Sequence, residues 1–278
     1  KNANNDLDWY TWDEDIRLRK NDALKSAKEM HSDIMEFYRF VQFKFYEQWF
    51  ALKSYANEKG IGIIGDIPIY VANDSADVWS SPEQFMLDNE LKPKLVAGCP
   101  PDAFSEDGQL WGTPLYDWKR MKADGYTWWK NRLAHALSIY DVVRIDHFRA
   151  FESFYAIPYG SKNAKNGKWL KGPDIHLFNE LKKEFGEDLP IIAEDLGFLT
   201  PAVLKLLKKS GFPGMKVLQF AFDTREESDY LPHNYGKNCV VYTGTHDNDT
   251  IMGWTTSVEK DDVEMARKYL HVTNDEGF

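Results

Sequence analysis

Five short apolar segments, four of them reached through a stretch of helical periodicity, place the strongest constraint on how this chain folds. They occupy residues 61–67, 141–146, 190–194, 215–220 and 239–243, and most are rich in Val and Ile. Residues 22–59 lead to the first. There Ile34, Phe37, Tyr38, Val41, Phe45, Trp49, Leu52 and Tyr55 recur at three- and four-residue spacing, and Gly60 suits a helix C-terminus. Stretches 128–139, 174–185 and 201–209 precede the next three segments, the last with Pro201 at its start, and a helix at 259–270 follows the fifth. Helix alternating with apolar strand predicts an α/β fold, a parallel sheet covered by helices. A long segment at about 68–125, rich in Gly, Pro, Asp and Trp, carries no sustained periodicity and reads as an irregular insertion.

Four of the five strands end in carboxylates: Asp66, Asp146, Glu194 with Asp195, and Asp247 with Asp249. In parallel α/β folds the C-terminal strand edge is where ligands bind, in an open sheet and in a closed barrel alike. A strand-end aspartate can also cap the next helix, but four consecutive occurrences favour a site. Side-chain alternation puts Val142, Arg144 and Asp146 on one face. A guanidinium beside Asp146 keeps that carboxylate ionised, the state a glycosidic nucleophile needs. Glu194, after Pro190-Ile-Ile-Ala and beside Asp195, occupies surroundings that raise a carboxyl pKa and suit a proton donor. His246 and Asp247, in Thr243-Gly-Thr-His-Asp-Asn-Asp249, can bind sugar hydroxyls.

Composition removes other classes. Lysine plus arginine number 34 against 44 aspartates and glutamates, so the formal net charge of −10 offers no field for a nucleic-acid backbone. No apolar run approaches the ~18 residues of a membrane helix, and the N-terminus has no apolar core of a signal peptide. Cys99 and Cys239, without a CxxC partner, read as reduced thiols of a cytoplasmic protein. The seven histidines lack HExxH spacing, so no metal site is expected. A GxSxG elbow, a P-loop and a dinucleotide fingerprint are absent. The 17 Phe, 14 Tyr and 10 Trp exceed what loops need, yet a minority sit among loop carboxylates and amides, where a ring can stack on a pyranose.

Six motifs extend this reading. They are Gly65-Asp-Ile-Pro-Ile-Tyr-Val71 with Asp74-Ser-Ala-Asp-Val-Trp79; Gly98-Cys-Pro-Pro-Asp-Ala-Phe-Ser-Glu-Asp-Gly-Gln-Leu-Trp-Gly112; Val143-Arg-Ile-Asp-His-Phe-Arg-Ala-Phe151; Ala193-Glu-Asp-Leu-Gly197; Gly211-Phe-Pro-Gly-Met-Lys-Val-Leu-Gln-Phe220; and Gly244-Thr-His-Asp-Asn-Asp-Thr250. In this order they closely resemble the amylomaltases, bacterial 4-α-glucanotransferases related to the α-amylase clan. The resemblance implies a cytoplasmic enzyme that cuts α-1,4-glucans and passes the segment to another glucan's 4-hydroxyl, with maltooligosaccharides as donor and acceptor. It implies no cofactor and no metal.

It also implies a (β/α)₈ TIM-type barrel, of which about strands 3 to 7 lie here, the rest of the barrel lying outside this chain. Residues 1–278 would then form a single, partial catalytic domain, with the insertion at 68–125 supplying an active-site loop at 98–112. Matched by motif, Asp146 is the nucleophile, Glu194 the general acid/base and Asp247 the third carboxylate. Arg144 and His246 flank them, and Asp102, Phe104, Gln109 and Trp111 reach the glucan. Double displacement with retention requires nucleophile and acid/base carboxyls ~5–5.5 Å apart. A retaining α-glucan hydrolase with the same carboxylates, or an inactive carbohydrate-binding fragment, is the alternative.

Overall fold

The structure, a computed structural model, describes residues 7–101, 105–197, 199–225 and 227–272. The fold is mixed α/β and divides into two units, Lys1–Pro190 and Ile191–Phe278. The first unit carries α1 (Glu14–Arg17), α2 (Asn21–Met30), α3 (Ser32–Glu58), β1 (Ile64–Ile67), α4 (Ala76–Ser80), β2 (Leu95–Cys99), β3 (Gln109–Pro114), α5 (Trp118–Ala123), α6 (Thr127–Ile139), β4 (Val142–Ile145), β5 (Ser153–Pro158), β6 (Lys168–Lys171) and α7 (Ile175–Phe185).

The helix expected over 22–59 is broken at His31 into α2 and α3. Gly60, at φ +75°, ends α3: its N–H bonds Asn57 O (2.9 Å) and the Ile61 N–H returns to Ala56 O (2.9 Å), a left-handed cap that glycine adopts without strain. The chain then enters β1, which pairs in parallel with β4 in the register Asp66↔Arg144. Asp141 ties this junction together. Its Oδ2 accepts from Ile63 N–H (2.8 Å) and Asn57 Nδ2 (2.9 Å), and its Oδ1 meets Lys53 Nζ at 3.0 Å. Those donors, the Ile63 amide first, hold the carboxyl down at about 2.

A second sheet was not expected. Strands run in the order β3-β2-β5-β6, all antiparallel, with Gly98 paired to Tyr155 and Tyr155 to Trp169. The segment at 68–125 contributes α4, β2, β3 and α5, joined by stretches without helix or strand among the described residues. Beneath it lies an aromatic core in which Tyr116, Trp129, Phe148, Phe151 and Phe178 are fully buried. Tyr116 Oη donates to Ile69 O (2.6 Å), and Arg132 reaches Pro68 O (2.5 Å) and Tyr116 Oη (3.0 Å). These bonds fix the backbone that leaves the end of β1.

One element of this unit stays largely uncovered among the described residues. None of the 27 residues of α3 is buried, and Phe37, Phe40, Phe43, Leu52 and Tyr55 are each more than half exposed. Its apolar stripe is present as the periodicity predicts; Tyr46 meets His135 edge-on at 6.1 Å and Trp49 donates to Ile139 O at 2.8 Å and meets the Tyr140 ring, while most of its other apolar side chains face outward.

The second unit carries β7 (Ile191–Ala193), α8 (Pro201–Ser210), β8 (Gly214–Val217), β9 (Cys239–Tyr242), α9 (Ile251–Ser257) and α10 (Lys260–Leu270). β8 and β9 pair in parallel, Gly214 opposite Cys239, and Ala193 N–H bonds Pro213 O at 2.9 Å. Pro201 stands at the first turn of α8, behind Thr200, whose hydroxyl accepts from Val203 N–H at 3.3 Å. Phe222, Trp254, Val263 and Ala266 form the core under α9 and α10. The strand expected at 215–220 stops at Val217 and turns into a 3₁₀ helix, Leu218–Ala221. Gln219 explains the turn: its N–H bonds Thr243 O (3.1 Å) and its Nε2 bonds Asp249 O (2.9 Å). The described residues hold nine strands, against five expected, because the sheet β3-β2-β5-β6 has no alternating helices.

Candidate active site

In the first unit the register of β1 on β4 lays Asp66 beside Arg144. Arg144 Nη1 donates to Asp66, 2.7 Å from each carboxylate oxygen, and stands 3.2 Å from Asp146 Oδ1. The guanidinium is buried, while both carboxylates keep about two-fifths of their side-chain surface exposed. Val143 and Ile145, on the opposite face of β4, are buried in the core. The expected Arg144–Asp146 pair is thus present, and Asp66 is its tighter partner. Sequence reasoning left Asp66 out of the site, although it stands at a strand end like the others.

His147 follows Asp146 in a left-handed conformation, φ 52°. Its ring meets Trp111 edge-on at 4.9 Å. Burial, then the Arg149 charge, holds the imidazole down at about 4, so it is neutral near pH 7. Trp111 in turn donates its indole N–H to Gln109 Oε1 at 3.0 Å. Gln109, Trp111 and His147 therefore form a contiguous set at the end of β4, with Trp111 about one-third exposed. A ring with one open face beside an amide is suited to a sugar. His147 was missed in sequence; its adjacency to Asp146 was the available signal. Asp102 and Phe104 lie outside the described residues.

In the second unit, Glu194 and Asp195 directly follow β7 and are both buried. Glu194 Oε1 accepts the Leu196 N–H at 2.7 Å, and Asp195 Oδ1 accepts the Met215 N–H at 2.6 Å. Burial raises the Asp195 pKa, against the opposing pull of the Met215 amide and Lys216. His246 and Asp247 follow β9 on an exposed turn. His246 Nε2 is 3.5 Å from Asp247 Oδ1, and Asn248 Oδ1 braces the turn by accepting from Thr245 N–H (2.8 Å) and Thr245 Oγ1 (3.0 Å). The proposed site residues thus group as Arg144 with Asp146, Gln109 with Trp111, and His246 with Asp247, while Glu194 stands on its own turn. Among the described residues no three His, Cys, Asp or Glu side chains gather as a metal-ligand set.

Carboxylates after parallel strands, one facing a buried arginine and followed by a histidine packed against a part-exposed tryptophan, are features of enzymes that act on carbohydrate. Comparison with known proteins narrows this. A family profile described as 4-alpha-glucanotransferase matches residues 1–277. A 4-alpha-glucanotransferase of Clostridium butyricum is 51% identical over 276 residues, covering 99% of this chain and 56% of that protein. That of Thermus thermophilus is 48% identical over 272 residues, covering 97% of this chain and 54% of that protein. The amylomaltase from Streptococcus agalactiae, solved in complex with acarbose, superposes with a TM-score of 0.95 at 41% identity, over 99% of this chain and 56% of that one. The chain belongs to the 4-alpha-glucanotransferase family. It spans about half the length of the curated relatives it matches.

Proposed function

We propose that this chain is the part of a 4-α-glucanotransferase that carries its catalytic carboxylates, and that the protein containing it transfers segments of α-1,4-glucans between maltooligosaccharides in the cytoplasm. Asp146 attacks the anomeric carbon, and Glu194 gives a proton to the departing glucan oxygen as the glycosidic bond breaks. The covalent glycosyl ester on Asp146 is then attacked by an acceptor 4-hydroxyl, whose proton passes to Glu194, and the α-linkage is restored. Asp247 holds the distorted sugar, with Arg144 and His246 beside it. Gln109 and Trp111, with Asp102 and Phe104 of the loop 98–112, contact the glucan. Both units belong to one catalytic domain, a (β/α)₈ barrel of which this chain supplies about strands 3 to 7. The uncovered stripe of α3 agrees with that division.

The observation that carries the reading is the Arg144 guanidinium shared between Asp66 and Asp146 at the ends of two parallel strands. A cation so placed keeps Asp146 available as a nucleophile and orients it. The test is incubation of the full-length protein carrying this chain with maltotriose. Longer maltodextrins are expected alongside glucose; glucose and maltose alone indicate a hydrolase. Asp146→Asn should lower transfer by about ten-thousandfold with an unchanged melting temperature. Full activity in that variant overturns the assignment.

A further inference from the structure

Trp111 stands on β3, which belongs to a different sheet from β4, the strand that leads into Asp146. No shared ladder of backbone hydrogen bonds therefore fixes the indole relative to that carboxylate. Within its own sheet the hold is also loose. Pairing of β2 with β3 runs through Cys99↔Gln109 and Gly98↔Leu110, shifts, and resumes at Val96↔Pro114, so Trp111 falls in the shifted stretch. Gly112 follows at φ +74°, where the missing Cβ leaves the backbone unusual freedom. Side-chain contacts must then place the indole. Its N–H goes to Gln109 Oε1 (3.0 Å) on the same strand, and the buried Tyr70 ring lies 6.4 Å away at a tilt. His147 is nearer, edge-on at 4.9 Å.

His147 is itself held by the backbone around Asp146. The Asp146 N–H bonds Ile67 O (3.0 Å) at the end of β1, and His147 follows at φ 52°, ψ 48°. A residue with a Cβ enters that region at a cost, and stays there where the surrounding structure fixes it. Here the His147 carbonyl accepts the Ala150 N–H (3.1 Å), which closes the first turn of the 3₁₀ helix Phe148–Phe151. Phe148, Ala150 and Phe151 are buried, and Phe148 stacks on Phe178 of α7 at 5.3 Å. The direction of the His147 side chain is thus set by a turn anchored on both sides. Its imidazole, neutral near pH 7, packs against the indole as an uncharged ring, and an edge-on aromatic pair contributes beyond the area it covers.

We propose that His147 is a positioning residue for Trp111: its ring, directed by the left-handed turn directly after Asp146, holds the indole in register with the end of β4 for stacking on the glucan. The proposal rests on Trp111 contacting the glucan. Removing the imidazole leaves Asp146, Arg144 and Asp66 in place and takes away the nearer of the two rings that steady the indole. Stacking on a sugar is made in the ground state and the transition state alike, so its loss should raise KM and leave kcat largely as it was. Because His147 acts through Trp111, the effect should vanish when Trp111 is absent.

The test is a double-mutant cycle in the full-length protein, with kcat and KM measured on maltotriose. The variants are His147→Asn, Trp111→Ala and the two combined. Asparagine is chosen because it enters the left-handed region readily, so the ring is lost and the turn is kept. His147→Gln is run through the same cycle, so that the failure of one variant to fold leaves the other. The expected result for either His147 variant is a loss of about fivefold in kcat/KM, within the range of an aromatic pair, carried by KM with kcat changed by under about twofold. On the Trp111→Ala background the same substitution should cost under about twofold. An equal loss on both backgrounds, or a loss carried by kcat with KM unchanged, overturns the proposal. If Trp111→Ala keeps the parent's KM, the contact of Trp111 with the glucan fails, and the proposal falls with it. If Trp111→Ala raises KM while both His147 variants match the parent, that contact stands and only the role of His147 is refuted.

Discussion

The buried Arg144 guanidinium, held by Asp66, gives the Asp146 carboxylate a fixed cation to face. Arg144 is bonded more tightly to Asp66 than to Asp146, so Asp66 holds the arginine and the arginine orients Asp146, the proposed nucleophile. Glu194, the proposed proton donor, is buried and accepts the Leu196 N–H. Glu194→Gln should cost about a hundred- to ten-thousandfold on maltotriose, with activity on donors bearing acidic leaving groups partly spared; equal losses on both kinds of donor remove the acid role. His147 supplies a pH prediction. Its folded pKa of about 4 lies below the ordinary value of 6.5, so the unfolded chain binds the extra proton first. Its contribution is intact above pH 6.5 and is lost as pH falls from there toward 4. The melting temperature of the parent should decline over that window more steeply than that of His147→Gln. Parallel curves for the two proteins contradict this account.

At the level of elements, the α3–β1–β4 junction is held by one side chain. Asp141 bonds a helix end, a strand entry and a lysine at once. Asp141→Ala should lower stability by about 2 kcal/mol, since three donors lose their acceptor, and urea denaturation measures it. Because the Asp141 pKa is depressed to about 2, the contribution is present above pH 4 and lost only as pH falls toward 2. A loss within a few tenths of a kcal/mol of zero shows that the junction is held elsewhere. The strands legible in sequence were those with local cues. Val-Val-Arg-Ile directly after a helix reads as β4 without knowledge of its partner. The sheet β3-β2-β5-β6 escaped notice for a physical reason. Its strands are defined by long-range antiparallel pairing, one with a register shift between Val96 and Gly98, and Gly98, Gly112 and the bracketing prolines resemble loop. Site residues followed the same rule. The proposed Asp146, Glu194 and Asp247 were visible from strand ends, whereas the contact of Asp66 with Arg144 depends on β1–β4 register.

For the whole molecule the relevant quantity is surface. Soluble monomers rarely expose contiguous apolar patches of more than a few hundred Å². Here a helix of 27 residues shows Phe, Tyr, Leu and Val to solvent along its length. Produced by itself, the 278-residue chain should self-associate and bind a hydrophobic dye such as ANS, and sedimentation should show a mass that rises with concentration. A monodisperse, dye-silent chain at about 100 μM, well above the concentrations at which apolar surfaces promote aggregation, contradicts this. The net charge of −10 gives limited protection, since general repulsion acts over a Debye length of about 10 Å and does not cover the aromatic stripe itself. The uncovered face of α3 also bears on the life of the polypeptide in a cell. Side chains of this kind are what chaperones and quality-control proteases recognise in unfinished proteins, so the steady-state amount of such a chain would be set by how long α3 stays bare, not by any property of the carboxylates.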